Sequence, residues 1–148
     1  MNRDRIYFSH SPKPTIGVEA ELFTINKDSL DLCPGVPLVL NEFPGSAHIK
    51  EELLECIIGV NTGIYKDISA VRSDLTSRIF QVQQIAEKQN IALISIGTYL
   101  FARCKDQTFT PSNRYLNFLE RMQWSVRYLI ISSLKIYIGV ESGKKPLL

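Results

Sequence analysis

Alternation between apolar and polar positions predicts three β-strands along the chain. The first runs from Thr15 to Ile25, where apolar and polar residues alternate over most of its length. The second spans Leu53 to Ile64, with β-branched residues in its second half, and the last alternates from Ser133 to Glu141. On the first and last strands, the residues expected to face a core are Ile16, Val18, Ala20, Leu22, Leu134, Ile136, Ile138 and Val140.

Apolar residues at three- and four-residue steps predict two amphipathic helices. One runs from Asp67, the expected N-cap, to about Lys88. The other begins at Pro111, since proline is favoured at the first helical position. Its expected buried stripe comprises Tyr115, Phe118, Leu119, Met122, Val126 and Leu129. Between the helices, the almost continuous apolar run from Ile91 to Ile96 predicts a buried strand.

These elements follow in the order strand, strand, helix, strand, helix, strand, without a composition break that would mark a linker. The order predicts an α+β fold in which a mainly antiparallel sheet is backed by two helices. We therefore expect a single domain over residues 1–148, in which residues 1–13 form a flexible N-terminal segment.

Composition narrows the functional classes. At 148 residues with 45% hydrophobic and 22% charged residues, the chain matches one globular domain. A formal net charge of +2 is too small to indicate nucleic acid or an acidic membrane as a partner. The three cysteines are widely spaced and form no metal-ligand motif, which favours a reducing compartment. The sequence has no apolar run long enough to cross a bilayer and no signal-peptide pattern, so the cytoplasm is expected.

The polar face of the first strand carries two carboxylates, Glu19 and Glu21. Alternate residues on a strand point the same way and lie roughly 6.5–7 Å apart, so the two charges repel unless a cation lies beside them. A divalent cation with oxygen ligands is one solution, and a solvated strand face is the other. If all strands share one sheet, the same face also collects Glu55, Asn61, Lys135 and Tyr137. Such a face suits a ligand floor, although an antiparallel sheet with one wet side is also common.

Several segments, in the same order along the chain, carry motifs of one enzyme family, among them residues 15–23, TIGVEAELF, and residues 52–63, ELLECIIGVNTG. These two segments resemble the GxExE-type opening strand and the second strand of the glutamate–cysteine ligase type 2 family of carboxylate–amine ligases. The further matches are Gly97-Thr98, Phe101-Ala102, Asp106-Gln107, Thr110-Pro111 with Arg114-Tyr115, Met122-Gln123-Trp124 and residues 134–140. Together they cover residues 15 to about 143, and they imply half of a glutamine-synthetase-like active-site sheet.

The resemblance implies an ATP-dependent ligase that activates a substrate carboxylate as an acyl phosphate and joins it to an amine. It implies a small amino-acid substrate, ATP and Mg²⁺, with Glu19 and Glu21 as metal ligands. The cation would neutralise the transferring phosphoryl group. The weaker candidates for the substrate or nucleotide site are Glu55, Asn61, Arg114, Lys135 and Tyr137.

Four polar positions depart from the family pattern. Gly59 stands where the second strand normally carries a glutamate, and Tyr99, Lys135 and Tyr137 stand where the family typically has histidines. The ammonium of Lys135 could pair with the glutamates of the first strand and take the place of a metal charge. Alternatively, it reaches to solvent from a sheet edge. Two hypotheses therefore stay open: an ATP-dependent ligase, or a degenerate non-catalytic homologue that acts as a binding or interaction module.

The length of the chain adds one expectation about assembly. Family members are much longer and continue into a second half of the sheet, so we expect this chain to be an N-terminal portion of the family fold. Half a sheet exposes a strand edge, and an exposed edge recruits a further strand. Homo-oligomerisation through that edge is therefore expected.

Overall fold

The computed structural model describes residues 10–141. Within them, the strands are β1 Thr15–Asn26, β2 Ile49–Glu51, β3 Ile57–Asn61, β4 Ile91–Ile94 and β5 Leu134–Gly139. The α-helices are α1 Val36–Leu40, α2 Ile68–Lys88 and α3 Asn113–Met122, and 3₁₀ turns lie at Cys104–Asp106 and Gln123–Tyr128. The predicted α+β class is confirmed, because these five strands form one antiparallel sheet with helices around it.

Strand β1 is the centre of the sheet, since its 12 residues pair along both edges. One edge pairs with β3, which in turn pairs with β2. The other edge is shared: its N-terminal half pairs with β5 and its C-terminal half with β4. All four pairings are antiparallel. The side chains of the first half of β1 therefore lie between those of β3 and β5.

Helix α2 is the element that covers the apolar side of the sheet. The carboxylate of Asp67 accepts a hydrogen bond from the backbone N–H of Ala70 at 2.9 Å, which confirms the predicted N-cap. Val71, Val82 and Ala86 are buried on this helix, which contacts β1, β3 and β4. The predicted helical spacing is thus used to bury one face against the sheet.

The hydrophobic core forms two clusters on the two sides of the sheet's centre. The first contains Leu22, Val36, Val39, Ile49, Ile58, Val60, Val82, Ala86 and Ile91. The second contains Phe23, Leu54, Cys56, Ile57 and Ile130. Leu22 and Phe23 are adjacent on β1 and point to opposite faces, so the C-terminal half of this strand is buried on both sides. Its N-terminal half, by contrast, keeps one polar face.

Two features of the second helix differ from the prediction. The helix begins at Asn113 with Ser112 as N-cap, two residues after Pro111. It ends at Met122, because Gln123 adopts a left-handed φ of 51° and the chain continues as a 3₁₀ turn. The predicted continuous stripe to Leu129 is therefore wrong: Tyr115 and Val126 are buried, whereas Phe118 and Met122 are exposed.

The predicted burial of the last strand is also wrong. Leu134, Ile136 and Ile138 of β5 lie on the same face as the core residues of β1, yet they are 64%, 59% and 55% exposed. The reason is the position of α2, which packs over β1, β3 and β4 and leaves β5 beside it uncovered by the described residues. The expected flexible segment 1–13 stays a prediction, because residues 1–9 lie outside the described part. Within that segment, Ser11 donates its N–H to the carbonyl of Val140 at 3.0 Å.

Candidate functional site

The sheet register brings the predicted polar residues onto one face. Glu19 lies opposite Asn61 on β3 and opposite Lys135 on β5. Glu21 lies opposite Gly59, and Tyr137 lies one pair further along β5, opposite Gly17. Residues that face each other across an antiparallel pair share a face of the sheet. As their spacing predicts, one face of the sheet carries Glu19, Glu21, Asn61, Lys135 and Tyr137.

Lys135 connects the two carboxylates of β1. Its Nζ donates a hydrogen bond to Glu19 Oε1 at 2.8 Å and a second, short one to Glu21 Oε1. Its side chain is 42% exposed, whereas those of Glu19 and Glu21 are 14% and 11% exposed. Burial alone would lower the pKa of Lys135, but the two charged hydrogen bonds outweigh it and raise that pKa. The predicted pairing is thus present, and the lysine does not simply extend into solvent.

Two hydroxyl groups make further hydrogen bonds to the same carboxylates. Tyr137 donates its hydroxyl to Glu19 Oε2 at 2.7 Å, and Ser133 lies within hydrogen-bond distance of Glu21 Oε2 at 2.9 Å. Burial would raise the pKa of Glu19, but the hydrogen bonds from Lys135 and Tyr137 lower it overall. The bond to Glu19 in turn raises the pKa of Tyr137. The lowered pKa keeps Glu19 ionised, and the hydrogen bonds fix the orientations of both glutamate side chains.

A third carboxylate, that of Glu52, joins the cluster from the turn between β2 and β3. Oxygen atoms of Glu19, Glu21 and Glu52 all lie within 4.8 Å of one another. Gly59 makes room for it, since a Cβ built at Gly59 would lie 2.7 Å from Glu52 Oε1. Gly59 stands where the family pattern has a glutamate, and the space that it leaves is filled by the side chain of Glu52.

Contacts to the start of α3 position the Glu52 side chain. Its Oε2 accepts a hydrogen bond from the hydroxyl of Tyr115 at 3.3 Å, and its backbone carbonyl accepts one from Thr110 Oγ1 at 2.5 Å. Burial and the negative charges of Glu21 and Glu19 raise the pKa of Glu52. Burial and the nearby Glu52 charge raise the pKa of Tyr115 to about 12. The ionised form of Glu52 is therefore disfavoured in this cluster, and a bound cation would stabilise it.

The other candidate residues lie in different surroundings. Asn61 is half-buried on the shared face beside Glu19. Glu55 instead lines a separate 290 Å³ pocket together with Glu51 and Thr110. The guanidinium of Arg114 lies over the ring of Tyr115, 5.3 Å from its centroid. The structure therefore places Asn61, Lys135 and Tyr137 on the same face as Glu19 and Glu21, and it places Glu55 in another pocket.

Tyr99, which stands at a histidine position of the family pattern, packs against the hydrophobic core. Its hydroxyl donates to the backbone carbonyl of Leu30, and its ring packs against Phe23 at 6.2 Å between centroids. Its hydroxyl is thus used by a backbone partner away from the carboxylates.

Period-two alternation did not reveal Glu52, because the residue lies in a turn and its side chain reaches the site from outside the strands. The available signal was compositional: an acidic residue seven positions before Gly59, on the turn that leads into β3. Only the return of the chain from β2 to β3, closed by the bond from Glu52 N–H to the carbonyl of Ile57 at 3.2 Å, brings it over the sheet.

Beside the cluster lies a cleft of about 350 Å³, lined by residues of β1, β3 and β5 and of the loop after β3. Gly17, Asn61, Tyr137 and Gly139 contribute to its walls. Carboxylate oxygens are the ligands that Mg²⁺ and Ca²⁺ take, so Glu19, Glu21 and Glu52 could hold such a cation beside this cleft.

Comparison with known proteins gives the family. The model of glutamate–cysteine ligase family 2 (GCS2) matches residues 15–146, so the chain belongs to this family. A protein from Gloeobacter violaceus with the provisional name glutamate–cysteine ligase 2 is 32% identical over 142 residues, which cover 93% of this chain. A protein of the same provisional name from Thermobifida fusca is 32% identical over 146 residues, or 95% of this chain. The chain spans only 38% and 37% of the lengths of these two relatives.

A solved structure shares the fold. The crystal structure of glutamate–cysteine ligase from Francisella tularensis in complex with AMP superposes with a TM-score of 0.56. The match covers 91% of this chain and 28% of that protein, at 15% sequence identity. At that identity the likeness shows the fold alone. Within residues 10–141, no helix is long and apolar enough to span a membrane, and the cytoplasmic location stays a prediction.

Proposed function

We propose that this chain forms the N-terminal part of the active site of an ATP-dependent carboxylate–amine ligase of glutamate–cysteine ligase type. In this proposal Glu19, Glu21 and Glu52 bind the divalent cation that accompanies ATP. The observation that carries it is the convergence of these three carboxylates, with oxygen atoms within 4.8 Å of one another. Membership of the family supports the ligase class.

The residues present fit a magnesium ion in charge and in chemistry. Mg²⁺ prefers oxygen ligands and is commonly bound through carboxylates together with nucleotide phosphates. Three carboxylates beside one ammonium leave an excess of two negative charges, and of three once the ammonium turns away, so the cluster attracts a divalent cation. The obstacle is Lys135, whose Nζ occupies the position between Glu19 and Glu21. Because its side chain is 42% exposed, it can swing towards solvent when a doubly charged ion competes for the carboxylates.

The chain's own residues would position the reactants. Tyr137 and Ser133 fix the carboxylates of β1 from the β5 side, and Tyr115 fixes Glu52 from the α3 side. The cleft lined by Gly17 and Asn61 is adjacent to Glu19 and has room for part of a small amino-acid substrate. When bound, Mg²⁺ would neutralise the transferring phosphoryl group, which is the main electrostatic demand of such a reaction.

A second function is favoured by one specific observation, the double hydrogen bond of Lys135. If the ammonium permanently takes the cation's position, the chain is a metal-independent binding module, and the carboxylates serve as an ion-paired wall of the cleft. A fixed lysine provides one positive charge without the open coordination positions of a metal ion. This alternative predicts that Mg²⁺ has no effect on the wild-type chain.

A thermal-shift experiment with Mg²⁺ and a non-hydrolysable ATP analogue tests the proposal and separates the two functions. We expect the melting temperature of the wild type to rise with ligand concentration, and that of the Glu19→Gln/Glu21→Gln variant to stay constant. Equal shifts in both proteins, or none in either, would contradict the metal site. A shift that appears only in Lys135→Met would favour the binding module, because removing the ammonium would then create the metal site.

A further inference from the structure

Strand β5 is an edge strand within the described residues. It pairs with β1 along Leu134–Gly139 and with no other named strand. The three apolar residues on its uncovered face are more than half exposed. An edge strand with an exposed apolar face is a surface on which another strand can pair.

The direction of the backbone groups on β5 follows from one hydrogen bond. The N–H of Glu21 donates to the carbonyl of Ser133 at 2.9 Å, and these residues lie one position beyond the last pair of the β1–β5 register, Ala20–Leu134. Bonded pairs recur at every second position of an antiparallel ladder. The backbone groups of Lys135 and Tyr137 therefore face β1, and those of the residues between and beside them face outward.

The outward-facing stretch has defined limits. Before it, the N–H of Ser132 donates to the carbonyl of Gly97 at 3.0 Å, and after it, the carbonyl of Val140 accepts the N–H of Ser11 at 3.0 Å. Leu134, Ile136 and Ile138 are the residues whose outward N–H and C=O groups lie between these limits. The stretch is symmetric about Ile136.

We propose that β5 pairs antiparallel with β5 of a second copy of this chain, about a two-fold axis through Ile136. In this register Ile136 faces Ile136 of the partner subunit, and Leu134 faces Ile138 of the partner subunit. All three pairs consist of outward-facing residues, so they exchange six backbone hydrogen bonds. An isologous contact of this kind closes into a dimer.

The side chains suit the same register. On the polar face, Lys135 faces Tyr137 of the partner subunit, so no two like charges oppose each other. On the other face, exposed leucine and isoleucine side chains meet their counterparts and lose contact with water. A two-fold axis through Lys135 would instead oppose two ammonium groups. Between the same limits it would leave only two hydrogen-bonded pairs, each of Leu134 with Ile136 of the partner subunit.

The dimer joins the two sheets into one continuous sheet. The polar faces of both copies are then on the same side, and the two β1 strands are separated by three strand spacings, about 14 Å. Each candidate site thus lies next to the other across the axis. The dimer requires neither metal binding nor catalysis.

Sedimentation velocity over a wide range of protein concentration tests the dimer, with charge-swap variants at the axis. We expect the wild type to dimerise and Ile136→Lys to weaken the dimer at least about tenfold, because two ammonium groups would face each other and two isoleucines are lost. Ile136→Glu should do the same. An equimolar mixture of the two variants should restore the dimer through opposite charges. Leu100→Lys, at a 79% exposed loop position, is the control and should dimerise as the wild type does.

Hydrogen exchange provides the second measurement. The amides of Leu134, Ile136 and Ile138 should exchange more slowly at protein concentrations where the dimer forms. A monomer at all concentrations would overturn the proposal. This holds whether the edge of β5 stays unpaired or pairs with a strand of another polypeptide, such as the part of the longer relatives that this chain does not match. A dimer that persists in Ile136→Lys, or a variant mixture that stays monomeric, would equally contradict the two-fold axis through Ile136.

Discussion

Replacement of Lys135 by methionine is the most informative single change, because it removes the ammonium from two carboxylates at once. In the wild type, Lys135 Nζ bonds both Glu19 and Glu21. Methionine keeps most of the apolar length of the side chain and makes no charged hydrogen bond. The variant leaves Glu19 and Glu21 together with Glu52 as three converging carboxylates without their ammonium partner.

The magnitude of the effect follows from the exposure of the groups. A hydrogen bond to a charged group contributes about 1.5–3 kcal/mol when buried, but exposed ion pairs contribute about 0–1 kcal/mol. Glu19 and Glu21 are mostly buried, whereas Lys135 is 42% exposed, so the pair of bonds lies between these limits. We expect Lys135→Met to lower the free energy of unfolding by about 1–2 kcal/mol at low salt. This corresponds to a fall in melting temperature of about 2–8 °C for a chain of this size.

Mg²⁺ should reverse this loss, since the unpaired carboxylates then bind the ion more tightly than the wild type does. At a free Mg²⁺ concentration ten times its Kd, binding adds about 1.4 kcal/mol to the stability. Differential scanning fluorimetry with and without Mg²⁺ measures both effects, and Lys66→Met, an exposed lysine in the loop before α2, is the matched control. Two results would contradict this prediction: Lys135→Met is as stable as the wild type, or Mg²⁺ leaves the melting temperature of Lys135→Met unchanged. In either case the Lys135 ammonium does not occupy the position of a metal ion.

Further predictions concern the cluster and the core. Because the pKa of Glu52 is raised in the folded chain, its contribution to stability is present below the unfolded pKa and is lost as pH rises through the folded pKa. Glu52→Gln should therefore stabilise the metal-free chain at pH 7 but not at pH 4, and urea unfolding at both pH values measures this. Tyr137→Phe removes the bond to Glu19 and should raise the pKa of that carboxyl in an NMR titration, at a cost below about 1 kcal/mol because the tyrosine is exposed. Leu54→Ala should cost about 2–5 kcal/mol in urea unfolding, since Leu54 is 2% exposed in the core, whereas Leu100→Ala should change the stability by less than about 0.5 kcal/mol.

The parts of the fold that the sequence predicts correctly are those in which the local period matches the final environment. Glu19 and Glu21 share a polar face because β1 is a regular strand from Thr15 to Asn26. Helix α2 was predictable to within a residue or so at each end, because its apolar spacing coincides with a capping aspartate, Asp67. Local patterns determine such elements directly.

The parts that the sequence misses depend on which elements lie next to each other. The apolar face of β5 reads as core from its alternation, but α2 lies to one side and leaves Ile136 exposed. Glu52 enters the carboxylate cluster only because the chain turns between β2 and β3 and Gly59 leaves room for its side chain. The end of α3 at Met122 comes from a left-handed residue, Gln123, whose apolar neighbours continue the helical period. These outcomes depend on tertiary contacts, which the spacing of residues along the chain does not determine.

Binding of Mn²⁺, measured by electron paramagnetic resonance of the free ion in the presence of a non-hydrolysable ATP analogue, tests the carboxylate cluster most directly. Mn²⁺ takes the same oxygen ligands as Mg²⁺ and is directly observable. We predict saturable binding to the wild type, at least about tenfold weaker binding to Glu52→Gln, and unchanged binding to Glu51→Gln, its exposed neighbour. Equal affinity of the wild type and Glu52→Gln, or no saturable binding to the wild type, would contradict the proposal that these three glutamates hold a cation.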